Sequence, residues 1–524
     1  MIQRKTQDPA YWSDTFTIGP EDLQYLSALL VEDELPRSVD ELSRALVLHR
    51  SRQEEAVIER ALSKGTLYQP KRTYEVGEQV VFTALDYRVG KVVGVRPGRN
   101  PEYDDFQVIE LEFEGGKRRE FAAALEDDHP LNRDSALEGE GIRSPEELAS
   151  LHGPQIAGVL EKHLESNPDF ARLADKWFRR DLLVEVHEGH LNLAEAVLDI
   201  AGGGPLPTEA LLGDLELPEE ITAQLRVFSL NYALQQDERF DEVGPAGEVL
   251  WFLRRLEPES VKSTPPALQY EPLEYEPPLL TSEMRALERE LDDEWSDFTA
   301  TEVSEPVEIV LTYPHWRSGT LPLSSRLSKV FPTGRTQRIR FTFVDGGTGA
   351  EMPGWVVREG RYIYGLGEWY RENRVPVGTY LQLERGEQAG TIIIRPRRRR
   401  TRREWVRVVL PVDGRLAFEM RREVIPCAYD ELMILAVGNL EEIDRVRART
   451  QERGIPLTQL VDETFAELVK LSPQGNVHAA TLYSAINVAI RTPPGPMLEE
   501  LVASGKYAPV GDNYWVLRIE PSGV

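Results

Sequence analysis

The stretch Glu238–Leu256, ERFDEVGPAGEVLWFLRRL, consists of two apolar runs joined by a Gly-Pro-Ala-Gly turn. Two short apolar runs around such a turn predict a β-hairpin. Apolar periodicity upstream predicts helices over Leu191–Ile200, Thr208–Leu212 and Pro218–Gln236. Three helices followed by a hairpin predict a small helical domain that ends in a two-stranded wing.

The same order of elements recurs near the C-terminal end of the chain. Helices are predicted over Val477–Ile490 and Met497–Ala503, and residues 506–520, KYAPVGDNYWVLRIE, read as a hairpin around a Gly-Asp-Asn turn. An internal repeat supports a domain more strongly than either copy alone, so both copies are predicted to be winged helices. The matched residues are Phe240 with Tyr507, Val243-Gly244 with Val510-Gly511, Trp251 with Trp515, Leu253 with Leu517, and Arg254 with Arg518.

Both copies resemble the HARE-HTH winged helix, the module shared by the delta subunit of bacterial RNA polymerase and by some DNA-modification and chromatin proteins. The resemblance rests on an aromatic residue in the first strand of each hairpin, a glycine turn, and a Trp-x-Leu-Arg second strand. It implies a role in transcription or DNA recognition. The predicted recognition helices hold few cations, because Pro218–Gln236 contains only Arg226 and Met497–Ala503 contains none. Contacts with protein are therefore the alternative to contacts with DNA.

The composition describes a multidomain chain without disulfides. Its 524 residues suffice for about three to five domains. A single cysteine, Cys427, excludes a disulfide framework and a cysteine-based zinc site. No apolar run approaches the roughly 20 residues of a membrane span, and the N-terminus lacks the apolar core of a secretory signal. We therefore expect a soluble, cytoplasmic protein of the multidomain α+β class, in which winged-helix domains are combined with small β-barrels.

Charge is distributed unevenly along the chain, whose formal net charge is −27. Residues 311–425 contain 22 Arg and Lys against 11 Asp and Glu, a local charge of +11, so the rest of the chain carries −38. A basic region of this kind is suited to phosphates, whereas acidic regions repel nucleic acid or bind basic protein surfaces.

The N-terminal part is predicted to be helical, with a small β-barrel after it. Ser38 followed by Glu41 is the pattern of a capping box at the start of a helix. The polar residues 126–145 predict a loop, and helices are predicted again over Pro145–Leu183. The predicted domains are a helical domain over 1–70, a barrel over 71–135, a helical region ending in a winged helix over 145–257, an acidic linker over 258–306, a basic β-barrel over 307–425, and a helical region ending in the second winged helix over 426–524.

Between Tyr74 and Leu125 the pattern is that of four or five short strands with glycine at the breaks, which predicts an SH3-like barrel. Val76-Gly77, Val80-Val81 and Gly90-Lys91-Val92-Val93 resemble the Tudor-like modules of the CarD type, which dock on bacterial RNA polymerase. A barrel with a purely structural role is the alternative.

The stretch from Glu257 to Glu308 holds fifteen acidic residues, three basic ones and seven prolines, which predicts a solvated linker. One segment of this stretch is predicted to form a helix, whose N-terminus Ser282 can cap. Its apolar residues form a single stripe, which suits docking into a groove of a partner or packing on a neighbouring domain of the same chain. The stripe consists of Met284, Leu287, Leu291, Trp295 and Phe298.

Six strand-like runs separated by turn residues make 307–410 a β-rich domain. The order of its elements resembles the B3-type DNA-binding pseudobarrel. The residues that carry this resemblance are Trp369-Tyr370 followed by Val375-Pro376-Val377-Gly378-Thr379-Tyr380-Leu381. The resemblance implies that this basic domain binds DNA.

The sharpest local feature is an arginine run with seven guanidinium groups in nine residues. Such groups repel one another and predict an anionic partner, either nucleic acid, the chain's own acidic linker, or an acidic protein. In an extended strand Arg397 and Arg399 face one way while Arg398 and Arg400 face the other. Trp405 is expected to stack on an exposed base or to pack in the core. The predicted nucleic-acid-binding residues are Arg395, Arg397, Arg398, Arg399, Arg400, Arg402, Arg403, Arg407 and Trp405.

No arrangement of catalytic residues is recognisable in the sequence. The His187-Glu188-Gly189-His190 stretch lacks the spacing of a zinc motif, and Cys427 has no histidine nearby. We therefore predict no enzyme activity, no cofactor and no metal. The expected function is DNA binding in a transcription-related role, and the alternative is an RNA polymerase-associated factor that acts through protein contacts.

Overall fold

The structure is a computed structural model that describes residues 5–82, 85, 88–100, 102–103, 105–126, 130–132, 143–218, 220–299, 304–436 and 438–518. About 39% of the chain is helix and 26% strand, and the sheets include a half-barrel, which confirms the multidomain α+β class. The chain divides into two compact units. Unit 1 comprises Met1–His187 and Glu216–Ala233, and unit 2 comprises Glu188–Leu215 and Leu234–Val524.

Unit 1 begins with two helices, α1 over Pro20–Asp33 and α2 over Val39–Leu62, with the short strand β1 over Arg37–Ser38 between them. The predicted capping box at the start of α2 is confirmed. The backbone N–H of Glu41 donates to Ser38 Oγ at 3.2 Å, and the N–H of Ser38 donates to the Glu41 carboxylate at 2.8 Å. These bonds satisfy amide groups that the helix itself leaves unpaired.

A five-stranded sheet in the order β2-β3-β4-β5-β6 follows, in the region where the barrel is predicted. Buried residues alternate along β5, which places Ile109, Leu111 and Phe113 on one side of the sheet. Of the polar stretch predicted as a loop, 127–129 and 133–142 lie outside the described residues. The strands are β2 over Thr66–Leu67, β3 over Gln79–Phe82, β4 over Arg88–Pro97, β5 over Gln107–Phe113 and β6 over Arg118–Ala123.

Helix α3 spans Pro145–Glu165, and a hairpin of β7, Phe170–Leu173, and β8, Lys176–Arg179, follows it. The predicted helix over Pro145–Leu183 is therefore wrong beyond Glu165. The apolar residues 170, 173 and 177 mimic a helical period, but Ala174 adopts a positive φ of 51° and turns the chain back on itself. Strand β8 pairs with both β7 and β1 in a three-stranded sheet.

The region predicted as the first winged helix contains three helices and a hairpin in the predicted order, but its third helix begins at Ala223 rather than Pro218, and a short strand that was not predicted precedes the second helix. Its sheet order is β10-β11-β9, and α6 runs from unit 1 into unit 2. The elements are α4 over Glu188–Ile200, β9 over Leu206–Pro207, α5 over Thr208–Leu212, α6 over Ala223–Gln236, β10 over Phe240–Glu242 and β11 over Leu250–Leu253.

The acidic stretch after it is partly packed, so the prediction of a solvated linker is wrong for that part. It contains α7, Glu259–Lys262, and α8, Ser282–Leu291, the latter capped by Thr281 rather than Ser282. Met284 and Leu287 of α8 are 1% and 5% exposed. They belong to a core shared with the C-terminal helices, which confirms packing on the same chain.

A seven-stranded sheet forms the centre of unit 2, in the order β12-β17-β18-β14-β15-β16-β13. Burial alternates strictly along β14, so Ile339, Phe341 and Phe343 enter the core. Trp369 and Tyr370 lie on the short helix α10 and are buried there. The elements are β12 over Val307–Val310, α9 over Tyr313–Ser318, β13 over Thr320–Pro322, β14 over Arg338–Asp345, β15 over Glu351–Val357, β16 over Tyr362–Tyr364, α10 over Gly367–Glu372, β17 over Tyr380–Arg385 and β18 over Thr391–Pro396.

The sixth predicted strand of this domain belongs to a separate sheet. Strand β19 spans Arg398–Val412 and pairs antiparallel with β20, Arg415–Cys427, in a long hairpin. The short strand β21, Leu435–Ala436, adds to β19 in parallel. The arginine run therefore lies at the open end of a two-stranded ribbon.

The C-terminal region repeats the topology of the first winged helix. Its sheet order, β22-β24-β23, corresponds to β9-β11-β10. The aromatic–leucine pair Phe240–Leu253 matches Tyr507–Leu517, as the sequence repeat predicts. Residues 519–520 of the predicted hairpin lie outside the described residues. The elements are α11 over Leu440–Glu452, α12 over Leu457–Val469, β22 over Asn476–His478, α13 over Ala479–Ala489, α14 over Pro494–Ala503, β23 over Tyr507–Gly511 and β24 over Tyr514–Leu517.

Candidate nucleic-acid interface

The β19–β20 hairpin is held at both ends. At its open end, the N–H of Arg397 donates to the Tyr380 carbonyl at 2.8 Å, and the N–H of Ala428 donates to the Arg397 carbonyl at 3.0 Å. Near its turn, Val409 and Phe418 are buried in the core that contains Phe465 of α12. A ribbon anchored in this way presents its exposed side chains on a defined backbone.

The arginine run contains a β-bulge. Arg398 pairs with Cys427 and Arg402 pairs with Ile425, so residues 399–401 lie opposite Pro426 alone. Proline has no N–H to donate to the ladder, and bulges are among the few positions in a sheet that tolerate it. The bulge interrupts regular pairing, so the ladder does not impose the predicted alternation of faces at residues 399–401.

Several arginines of the run are paired within the chain. Arg395 pairs with Glu384, Arg397 with Glu308 at 3.2 Å, and Arg399 with Glu404 at 2.8 Å. Arg407 donates to the Glu431 carbonyl at 2.7 Å. The guanidinium group of Arg397 also lies 5.3 Å from the centre of the Tyr380 ring.

Four other arginines of the run are exposed and, among the described residues, have no such partner. Within the part of the chain that the structure describes, no carboxylate lies within 4.0 Å of Arg398, Arg400, Arg402 or Arg403. We call these residues the unpaired arginines. Their positive charges lie within six residues of strand and remain available to an external anion.

The described part of the acidic stretch 257–308 pairs with one arginine of the run and leaves the others to different partners. Among the described residues of that stretch, Glu308 is the one that pairs with an arginine of the run, through Arg397. The partners of Arg395 and Arg399 come instead from β17 and from β19 itself. The chain's own acidic stretch, in its described part, therefore neutralises one positive charge of the arginine run.

Next to the unpaired arginines, one face of the hairpin is both aromatic and basic. Cross-strand pairing places Arg403 opposite Val424, Trp405 opposite Arg422, and Arg407 opposite Met420, all on the same face. We call these six residues the Trp405 face. Trp405 is 62% exposed, Val424 54% and Met420 38%. The Arg422 guanidinium lies 5.9 Å from the centre of the Trp405 ring.

The acidic residues of the two strands lie on the opposite face. The register pairs Glu404 with Glu423, and it pairs Glu419 with Val408. Glu404 is engaged with Arg399, and burial together with a hydrogen bond to Glu404 raises the pKa of Tyr429 above its usual value. The strand period of two therefore leaves the Trp405 face with three arginines and no acidic side chain.

In the C-terminal region, the helices that the sequence repeat assigns to a second winged helix are packed within the chain. All residues of α13 are buried, and Met497, Leu498 and Leu501 of α14 are fully buried. The acidic stretch covers α14, since the N–H of Glu276 donates to Glu499 at 2.9 Å. Both helices are therefore engaged within the chain.

The first wing is also engaged within unit 2. Phe252 of β11 packs edge-on against Trp355 of β15 with ring centres 5.0 Å apart. The N–H of Arg340 donates to the Val243 carbonyl at 2.8 Å. The wing thus packs on the seven-stranded sheet of the same unit.

A buried charged cluster, which no sequence pattern predicts, connects three separate segments of unit 2. Arg491 donates to the carboxylate of Asp293 at 2.7 Å and lies 2.7 Å from that of Glu294. Asp293 also accepts from Tyr483 at 2.6 Å, and Glu294 lies 3.2 Å from His315. The acidic residues were assigned to a solvated linker, and Arg491 follows α13 without any local signal.

Burial acts on both carboxylates of this cluster, and the neighbouring cationic side chains offset it to different extents. Burial raises the pKa of Asp293, and Arg491 compensates only partly. Burial also acts on Glu294, but Arg491 and His315 outweigh it and lower the pKa to about 2. The adjoining cavity of about 20 Å³ has room for one water molecule and no larger ligand. The cluster is therefore a structural ion pair that holds the segments together.

Other potential sites offer little chemistry. Cys427 is buried, and burial raises the pKa of its thiol, which disfavours the nucleophilic thiolate. Across the described residues, no group of three or more His, Cys, Asp or Glu side chains is placed to hold a metal ion. None of the described helices is long and apolar enough to cross a membrane.

Comparisons of the chain with protein-family models, curated proteins and solved structures find no match.

Proposed function

We propose that this protein binds nucleic acid without catalysis, with DNA as its partner in a transcription-related role, and that the β19–β20 hairpin makes the contact. The observation that carries the proposal is the group of unpaired arginines, Arg398, Arg400, Arg402 and Arg403, on an anchored ribbon. Guanidinium groups bind phosphate oxygens in a two-pronged geometry and stay charged at every physiological pH.

The charge distribution supports the same function. Residues 311–425 carry +11 while the rest of the chain carries −38. An acidic surface repels a phosphate backbone at long range, so nucleic acid is directed to the basic hairpin. Two-stranded ribbons are known to enter a nucleic-acid groove, which is consistent with a hairpin as the contacting element.

The winged helices have a supporting role in this proposal. Phe465 of α12 packs in the same core as Val409 and Phe418 of the hairpin. The second winged helix therefore positions the hairpin from its turn end, and its own helices contact protein of the same chain rather than DNA.

The test is a comparison of two fourfold variants with equal charge change. Replacing the unpaired arginines with serine is expected to weaken binding of a fluorescent duplex at about 50 mM salt by at least about tenfold. The control variant replaces exposed arginines of other elements and is expected to stay within about twofold of the unmodified protein. Equal loss in both variants would contradict a site on the hairpin. The control residues are Arg371, Arg445, Arg449 and Arg453.

The second candidate function is that of an RNA polymerase-associated factor that acts through protein contacts. It is favoured by the five-stranded sheet β2–β6, which forms where the sequence resembles the CarD-type module. Co-purification with polymerase that survives nuclease treatment, and that persists when the unpaired arginines are replaced, would support it over the first.

A further inference from the structure

The Trp405 face has an exposed apolar strip that phosphate binding does not explain. Val424 and Met420 each lie diagonally across the strand pair from Trp405, on either side of Arg422, and all three apolar residues are more than a third exposed. Leaving a large aromatic ring in water forgoes stabilisation of the folded state. Such a ring among arginines is a feature of surfaces that bind a partner.

The chemistry of this face matches a base attached to its phosphates. Arg403 and Arg407 flank Trp405 two residues away on either side, about 7 Å along the strand. Arg422 lies across the ribbon, 5.9 Å from the ring centre. A flat indole surface can stack on the face of a base, while the surrounding guanidinium groups bind the phosphates beside that base.

Stacking of this kind distinguishes single strands from duplex. In a double helix each base face is covered by its neighbours, so a side chain from outside can stack only on an unpaired or extruded base. The arginines alone do not make this distinction, because a phosphate is available in both forms.

We infer that the Trp405 face binds single-stranded nucleic acid by stacking Trp405 on an unpaired base. This inference rests on the proposed nucleic-acid binding of the hairpin and specifies its preferred substrate. The unpaired arginines next to the face supply affinity for the backbone, and the indole ring supplies the preference for unpaired bases.

The test uses the full-length protein and three labelled probes: a 15-nucleotide oligothymidylate, an abasic oligomer of equal length, and a 15-base-pair duplex. The unmodified protein is expected to bind the oligothymidylate about 5- to 150-fold more tightly than the abasic oligomer, which corresponds to one stacked base. Trp405→Leu retains apolar bulk without the aromatic ring. It is expected to remove that preference and to weaken oligothymidylate binding more than duplex binding, while Trp405→Phe retains most of the preference.

Each result separates this inference from the proposed function. Equal affinity of the unmodified protein for all three probes, reduced by replacing the unpaired arginines, would overturn the stacking inference and leave the proposed function standing. Unchanged oligothymidylate preference in Trp405→Leu would likewise overturn it. Absence of binding to every probe at low salt would contradict both, and would assign the face to a protein partner.

Discussion

At the scale of single residues, the position of each arginine in the strand register decides whether its charge is paired within the chain or remains available to an external anion. Arg399 and Arg400 are adjacent in the sequence, yet Arg399 pairs with Glu404 and Arg400 has no carboxylate within 4.0 Å among the described residues. The run and its charge can be read directly from the sequence. The sequence does not reveal which members are paired, because partners such as Glu384 and Glu308 are brought near by sheet pairing over long separations.

A buried carboxyl group near the first wing makes stability depend on pH. Burial, together with the negative charge of Asp241, raises the pKa of Glu257 from 4.5 to about 8, although Arg338 lies 3.1 Å away and opposes the rise. The folded state therefore binds a proton that the unfolded state releases above its own pKa. Consequently, the free energy of unfolding falls as pH rises from about 4.5 to about 8.

Glu257→Gln removes this titration while preserving an oxygen for Arg338. The variant is expected to have a higher melting temperature than the unmodified protein at pH 8 and a similar one at pH 4.5, measured by thermal unfolding across this range. Glu259→Gln is the control, because Glu259 is 84% exposed and pairs with Lys262 on the surface. Identical pH profiles for the unmodified protein and Glu257→Gln would contradict the assignment.

The cluster around Arg491 predicts a large effect of one substitution. Arg491→Ala leaves Asp293 and Glu294 buried without their cation and is expected to lower the free energy of unfolding by roughly 3–5 kcal/mol in urea denaturation. Arg445→Ala, at an arginine 65% exposed and 3.8 Å from Glu441, is expected to change it by about 0–1 kcal/mol. Equal effects of the two substitutions would show that the cluster does not stabilise the fold.

At the scale of elements, the hairpins and the alternating strands are predictable because their periodicity is local. Strand β14 alternates without a break, and both wing hairpins form where their turns predict them. The β7–β8 hairpin was missed because its apolar spacing also fits a helix. The packing of α8 was missed because acidic composition describes its exposed side, while Met284 and Leu287 face the core.

This placement of α8 can be tested with a buried and an exposed position of the same helix. Leu287→Ala is expected to lower the free energy of unfolding by about 2–5 kcal/mol, because it removes buried apolar volume. Glu283→Ala, on the exposed side, is expected to have an effect within about 0.5 kcal/mol. Thermal and urea unfolding of both variants provide the comparison, and indistinguishable curves would mean that the helix is not part of the core.

At the scale of the whole molecule, repeated topology and uneven charge have different roles. The two winged-helix topologies supply packing surfaces, since the second recognition helix and the first wing are covered by other parts of unit 2. Positive charge, in contrast, is concentrated around one exposed ribbon, in a chain whose net charge is −27. The internal sequence repeat predicts where the two winged-helix modules lie, but it does not predict that their surfaces are buried. Burial depends on contacts with segments such as 270–294, which lie far away in the sequence.

The central claim is that the unpaired arginines bind phosphates, and the salt dependence of duplex binding tests it most directly. The slope of log K against log salt concentration reports the number of phosphates neutralised. Replacing Arg398, Arg400, Arg402 and Arg403 with serine is predicted to make that slope shallower by about 3 to 4, while the matched control variant keeps the slope of the unmodified protein. Identical slopes for all three proteins, or no binding at low salt, would contradict the account.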